Sequence, residues 1–328
     1  MTALLRLIGD IGGTHVRLAL VSADDDVICR ATIKGDEHPT LASAVVAGLE
    51  QFQESDAPEE AVLAVAGPVT GTHFTLTNRP AWSIDVDELR QELGLRRLTL
   101  INDFSALALA VPRLGEAGSR PLGPPDLVAA DDAPIAVLGP GTGLGVSALI
   151  RCGGDWQPIA GEGGHVLLAA SREREAEVLA TIRRSGVRAS GDRLLSGPGL
   201  RSIYMAIAGL NPGEVPDAAA IAAADNSFAR ETLALFATWL GAFAGDLALT
   251  FGARGGVYVG GGVVPKLGDA FPVDRFRAGF EAKGRLAAYV ADIPTRLITR
   301  PDAGVLGASA SLGRTGPGIV TARGDAND

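Results

Sequence analysis

The sequence predicts an α/β protein of two domains, and three observations carry that prediction. Apolar strand-like runs alternate with helical patterns along most of the chain. A glycine-rich turn between two apolar runs occurs near the start, at residues 9–14, and again at 139–145. The length, 328 residues, is enough for two domains.

In chain order, strand runs are predicted at residues 4–8, 16–21, 27–33, 61–65 and 98–101. Helices are predicted over 41–53 and 83–93, the second with Asp85 and Asp87 placed to complement the partial positive charge of its first turn. An apolar helix follows from 104 to 111, and residues 112–133, rich in Pro, Gly and Asp, read as a loop or a boundary between halves. The second half opens with strands at 135–138 and 146–150. Helices follow at 172–184, 199–209 and 225–250, then a strand at 255–259 and a small-residue helix at 304–312. Residues 314–328 show no apolar periodicity and are expected to be disordered.

Composition narrows the function. Hydrophobic residues make up 47% and charged residues 20%, as in a well-cored globular protein. The net charge is −9 with both signs interspersed and no basic stripe, which argues against nucleic acid or an anionic membrane surface as partner. The two cysteines, Cys29 and Cys152, form no CxxC pair and fit a reduced, cytoplasmic compartment. The first apolar run is broken by Arg6 and ended by Asp10, too short for a signal segment. The longest apolar run, 232–245, falls short of the ~20 residues that span a bilayer and reads as a buried helix, so no membrane association is expected.

Strand, glycine turn, strand is a hairpin pattern. Without a Cβ, glycine lets backbone N–H groups converge on an anion, so two such turns suit a polyphosphate. The first is Gly9-Asp10-Ile11-Gly12-Gly13-Thr14 and the second Gly139-Pro140-Gly141-Thr142-Gly143-Leu144-Gly145. No GxxxxGK[ST] loop is present, and the second turn leads into a strand-like run where a Rossmann turn would lead into a helix.

Four places hold candidate chemistry, each with two readings. Asp10, beside a phosphate turn, either holds a Mg²⁺ ion, directly or through water, or stabilises its own turn. Asp103, after Asn102 at the end of a strand and the start of a helix, is either a base for an acceptor hydroxyl or a helix N-cap. Glu162 and His165, three apart on the loop Gly161-Glu162-Gly163-Gly164-His165, suit a polyhydroxylated ligand or are merely solvated. Gly260-Gly261-Gly262, after a strand, allows a flat ring to approach the backbone or makes an ordinary tight turn.

As a set and in this order, these segments resemble bacterial glucokinases of the non-ROK type, within the hexokinase, sugar-kinase and actin-like ATPase superfamily. Ile101-Asn102-Asp103-Phe104, Leu195-Ser196-Gly197-Pro198-Gly199-Leu200, Gly260-Gly261-Gly262-Val263-Val264-Pro265, and Phe276 to Arg285 join the resemblance, which spans roughly residues 4–313. The stretch after His165, Val166 to Ser171, holds no cysteine, unlike the zinc motif of the ROK branch.

The resemblance implies a two-domain, ribonuclease-H-like (actin-like ATPase) sugar kinase fold with an interdomain cleft. A small domain would comprise residues 1–112, completed by a helix at 303–313, and a large one 113–302. It implies ATP and glucose as substrates, Mg²⁺ as cofactor and a homodimer. Gly9, Asp10, Ile11, Gly12, Gly13 and Thr14 would form the first phosphate loop, Gly141, Thr142 and Gly143 the second, and Gly260, Gly261 and Gly262 the adenosine site. Asp103 would take the proton of the sugar 6-hydroxyl, and Asn102, Asp103, Glu162 and His165 would bind the sugar. A third sugar-contacting carboxylate, Glu in the family, corresponds to Asp192 here, one methylene shorter. It would reach the sugar through a shifted loop or a water, or broaden sugar choice. Kinases for mannose, fructose or an amino sugar, and a sugar-sensing regulator of the same fold, are the rival expectations.

Overall fold

The structure, a computed structural model, describes residues 5–22, 26–52, 57–76 and 79–324. Leu4, Gln53 and residues 325–328, which closed or opened predicted segments, lie outside the described residues. The chain divides into two compact units. One comprises Met1–Leu114, Asp155–Gly161 and Pro301–Asp328, the other Gly115–Gly154 and Glu162–Arg300.

The first unit opens with β1 (Arg6–Ile11), β2 (His15–Val21) and β3 (Val27–Lys34), followed by α1 (Leu41–Leu49) and β4 (Glu60–Val65). Every residue of β4 is buried, as expected of a parallel strand covered on both faces. Thr40 and Ser43 exchange side-chain and backbone hydrogen bonds in a capping box that starts α1. Next come the hairpin β5 (His73–Leu76) and β6 (Arg79–Asp85), α2 (Val86–Glu92), β7 (Arg97–Asn102) and α3 (Asp103–Ala110). The helix predicted from residue 83 therefore starts later. Trp82 and Ile84 are buried and alternate with exposed Ala81 and Ser83, a strand period, and Asp85 caps α2 by accepting from the N–H groups of Asp87 and Glu88.

In the second unit, part of the predicted 112–133 loop forms β8 (Ser119–Pro121). The hairpin β9 (Ile135–Pro140) and β10 (Leu144–Cys152) follows, then β11 (Asp155–Ile159), which groups with the first unit. Five helices come next: α4 (Glu173–Arg184), α5 (Gly191–Leu194), α6 (Gly197–Ala208), α7 (Ala218–Ala223) and α8 (Ser227–Phe251). The unit closes with β12 (Val257–Val259), α9 (Val263–Leu267), α10 (Val273–Glu281), α11 (Ala287–Ala291) and β13 (Thr295–Ile298). Helix α8 is long and apolar enough to cross a membrane, but 67% of its apolar window is buried inside the fold, with Phe236, Trp239 and Leu240 in the core. It packs on α10 so closely that a side chain at Gly241 would collide with the Phe276 carbonyl. Arg277 of α10, also buried, donates to the carbonyls of Ala291 and Ile293 and so ties α11 and the start of β13 to the core.

The chain then returns to the first unit as α12 (Ala303–Ala310) and β14 (Ile319–Arg323). Gly307 lets α12 lie directly on the Ala106 carbonyl of α3. Strand β14 corrects the expectation of a disordered tail: it pairs antiparallel with β7, with Ala322 buried and the Thr99 and Thr321 hydroxyls 3.1 Å apart. The first sheet runs β14-β7-β4-β1-β2-β3. The second unit repeats its pairing in β8-β13-β12-β9-β10: an antiparallel edge strand, three parallel strands, then the antiparallel partner of a glycine hairpin.

Candidate active site

In the first unit the turn between β1 and β2 is tight, with the Gly12 N–H donating to the His15 carbonyl at 3.0 Å. Gly12 and Gly13 are partly exposed and Thr14 is exposed, so their backbone is open to a ligand. Gly9 and Ile11 serve differently. The Ile11 side chain is wholly buried, and a side chain at Gly9 would run into Leu63, so neither offers more than backbone. A residue the sequence did not single out holds the turn: Arg79 of β6 donates from Nε to the Gly13 carbonyl at 2.8 Å. Its guanidinium pairs with Asp36 and lies over the Trp82 ring.

Asp10, near the end of β1, faces Arg17 across the hairpin, and the two form an ion pair at 3.1 Å. Burial pushes its carboxyl above the usual carboxylate range, and Arg17 offsets this in part. A half-buried carboxylate paired with Arg17 suits a hydrated divalent ion that also binds phosphate, and Gly304 of α12 lies beside it. Among the described residues no cluster of three or more potential ligands forms an all-protein metal cage.

At the end of β7, Asn102 is the N-cap of α3. Its Oδ1 accepts from the Ser105 N–H at 3.0 Å, and its Nδ2 donates to the Gly67 carbonyl and to Asp103 Oδ1, both at 3.1 Å. The capping role considered for Asp103 thus belongs to Asn102. Asp103 is the first helical residue, oriented by Asn102 and by the Phe104 N–H at 2.9 Å. A carboxylate aimed by two donors at a strand's C-terminal end is in the position that α/β folds use for chemistry.

In the second unit, the turn between β9 and β10 closes with the Gly141 N–H donating to the Gly143 carbonyl at 2.8 Å. The Gly141 carbonyl accepts from the Gly197 N–H at the start of α6, which Ser196 caps. Gly261, at a φ of 74°, packs against the Pro140 carbonyl, so the Gly260–Gly262 segment adjoins the base of this turn. Glu162 and His165 bracket a single 3₁₀ turn, with His165 Nε2 and Glu162 Oε2 3.8 Å apart and both side chains about half exposed. Burial, with Asp192 adding, pushes the Glu162 carboxyl up, and His165 pulls it down. Asp192, in α5, accepts from the Leu144 N–H at 3.1 Å, so it engages the β9–β10 turn directly. The sequence carried no signal for that contact, nor for the role of Arg79.

The glucokinase family model matches residues 7–315. The chain belongs to the glucokinase family. The glucokinase of Aromatoleum aromaticum is 46% identical over 314 residues, covering 94% of each chain. That of Paramagnetospirillum magneticum is 41% identical over 308 residues, covering 90% of this chain and 93% of its own. Among solved structures, a glucokinase from an Antarctic psychrotroph superimposes with a TM-score of 0.81 at 33% identity, covering 95% of this chain and 99% of that one. A ROK family glucokinase from Streptomyces griseus, solved with glucose and AMPPNP, shares the fold at a TM-score of 0.64 and 22% identity, over 95% of this chain and all of its own. The family's fold is the actin-like ATPase fold of the sugar kinases, and the sheet pairing repeats in the two units.

Proposed function

We propose that the protein phosphorylates glucose at its 6-hydroxyl with ATP, yielding glucose 6-phosphate. The observation that carries this reading is Asp103, a carboxylate held by Asn102 and a backbone N–H at the end of β7, in a chain of the glucokinase family. Asp103 accepts the hydroxyl proton as the oxygen attacks the γ-phosphorus, and its fixed orientation aims that oxygen. Asn102, Glu162 and His165 hold the sugar hydroxyls. With the Gly12 and Gly141 N–H groups spent inside their turns, the neighbouring N–H groups of Gly13 and Thr14 and of Thr142 and Gly143 are the ones offered to the phosphates, and Gly260–Gly262 leaves room for the adenosine. Mg²⁺, when bound, neutralises phosphate charge, and Asp10 is the residue that would hold it, through water. A cytoplasmic homodimer is the assembly that the family resemblance supports.

The test is ADP release from MgATP with glucose, mannose, fructose or N-acetylglucosamine. Release strongest with glucose is the expected result, and preference for another sugar would reassign the substrate while keeping the chemistry. Asp103→Ala is expected to lower kcat about 10²-fold or more, the range of lost acid–base help. Near-normal turnover in a folded variant would remove Asp103 from its role.

A further inference from the structure

We infer that residues 314–324 form a positioning strap for the sugar site. The strap fastens the strand that ends at Asn102 to the segment that leads into Glu162, with Arg314 and Gly318 as its points of attachment to that segment. The inference rests on the sugar-kinase reading above and names elements that act on that site without touching the sugar. Residues 316–324 lie past the stretch 7–315 that the family model matches.

Both attachments lie within the first unit. Strand β14 pairs with β7 from Arg323 opposite Arg97 to Ile319 opposite Ile101, one residue short of Asn102. Without β14, β7 would be the edge of its sheet, with unpaired N–H and C=O groups beside the strand end that leads to Asp103. On its other side the strap meets β11. Arg314, just past α12, donates from Nε to the Ala310 carbonyl and from Nη1 to the Trp156 carbonyl, both at 2.7 Å. The chain then turns tightly, with the Ile319 N–H donating to the Gly316 carbonyl at 3.1 Å. Gly318 stands in this turn at a φ of 75°, and a side chain there would collide with the Ala160 Cβ.

Trp156 belongs to β11, and Ala160 follows it and is joined through Gly161 to Glu162. The sugar loop is therefore entered from a segment that the strap holds at two places. The same stretch of chain also brackets α3, the helix that Asp103 opens. Gly307 seats α12 on the Ala106 carbonyl of α3, and β14 lies beside β7, which runs into α3. One piece of chain thus touches the carriers of both groups of proposed sugar ligands.

The consequence is preorganisation. Gly161 has open space where a side chain would stand, so order at the loop entrance comes from the residues before it. An entrance fixed before the sugar arrives leaves less ordering to be done on binding. Where the ordered form is populated only in part, apparent affinity falls by that fraction. A strap on the sugar ligands' carriers therefore predicts that its loosening weakens sugar binding and spares MgATP.

The experiment compares Arg314→Ala and Gly318→Ala with the unaltered protein. Glucose Kd is measured by calorimetry without nucleotide, beside KM for MgATP and amide hydrogen exchange over residues 156–165. Each variant is expected to raise glucose Kd about tenfold, as for an entrance ordered about a tenth of the time, with KM for MgATP within about twofold. Exchange at 160–165 is expected to quicken. Adding Ala160→Gly to Gly318→Ala removes the collision while the left-handed strain at 318 remains. The pair is expected to bind glucose within about twofold of Ala160→Gly alone. Thr321→Val, which removes the hydroxyl contact with Thr99 at the far end of the strap, is expected to lower the Tm and leave glucose Kd unchanged.

Unchanged glucose Kd in Arg314→Ala and Gly318→Ala would overturn the inference, and if one of them fails to fold the other decides. Equal losses for glucose and MgATP would also overturn it. So would a loss of glucose binding in Thr321→Val as large as theirs, since the strap would then act through stability alone, or a pair that Ala160→Gly does not rescue. An unaltered protein that neither binds glucose nor releases ADP with any sugar fails the kinase reading instead. In that case hydrogen exchange still decides the strap: quickened exchange at 160–165 in the two variants supports it, and unchanged exchange overturns it.

Discussion

In the first unit, the turn between β1 and β2 is held by a cation: Arg79 donates to the Gly13 carbonyl. In the second, the turn between β9 and β10 is held by an anion: Asp192 accepts from the Leu144 N–H. Both devices immobilise a glycine hairpin, but with opposite consequences for a phosphate. Arg79 engages a carbonyl and leaves N–H groups for a ligand, with its own charge paired to Asp36. Asp192 consumes an N–H and adds negative charge. Glycine use differs at the tips. An added Cβ on Gly12 would touch only the His15 carbonyl, at 3.3 Å, whereas one on Gly143 would collide with Asp192; elsewhere the pattern reverses, with Gly9 of the first segment packed against Leu63 and Gly141 of the second open. At its tip the first turn is set by electrostatics and the second by packing. Two segments that look alike as sequence are therefore alike in topology and unlike in energetics.

The largest expected effect concerns the carboxylate near the end of β1. Asp10 sits beside the first turn with its carboxyl pushed up by burial. Asp10→Asn is expected to lower kcat/KM by about 10²- to 10³-fold, as for loss of a preorganised electrostatic contact at transferring phosphate. It should not destabilise the nucleotide-free protein at neutral pH. An acid whose folded-state value is raised costs stability once pH rises through that range, and the amide removes the cost. Thermal melting alongside kinetics checks both halves. A variant that loses activity and stability together would make Asp10 a structural residue and erase the contrast between the turns.

Next in size is Arg79→Ala. Its side chain is 12% exposed and bonded to the Gly13 carbonyl, so the loss leaves a partner unsatisfied and costs about 1–3 kcal/mol of stability. KM for MgATP is expected to rise about tenfold, the equivalent of about 1.4 kcal/mol, with glucose binding unchanged. Arg79→Lys should recover little, because a point charge does not reproduce the planar fork that spans Gly13 and Asp36. Full recovery by Lys would mean that charge alone acts on this turn and that its geometry needs no clamp.

How much of this was legible in the sequence follows from the range of the forces involved. The two hairpins, the strands of both sheets' centres and helix α8 were legible because burial imposes an apolar period on adjacent residues. The strands at 119–121 and 319–323 were not. Each is short, lies at a sheet edge and takes its order from a partner far away in sequence. The same distinction holds in the site. Asp103 stood out because a strand end and a helix start flank it locally, and Asn102 took the capping role because its side chain reaches Ser105 three residues on. Arg79 and Asp192 act through contacts 66 and 48 residues away in sequence, which no local pattern encodes.

The smallest effect, and the finest test of the contrast, is a pH dependence in the second unit. Burial first and Asp192 second push the Glu162 carboxyl up, while His165 opposes them. On the proposed reading Glu162 accepts hydrogen bonds from sugar hydroxyls, and does so most strongly when ionised, so KM for glucose is expected to rise as pH falls through its titration. Asp192→Asn removes one of the charges that disfavour ionisation, so the acid limb of kcat/KM for glucose should move to lower pH. Arg79→Ala, which alters the other turn, should leave that limb where it is. Stability follows the same sign. The folded protein holds the Glu162 proton to higher pH than the unfolded chain, so stability falls as pH rises through this range, and Asp192→Asn should lessen the fall. An acid limb that moves equally in both variants would mean that the two turns share one electrostatic environment, and the division between a charged turn and a packed one would not hold.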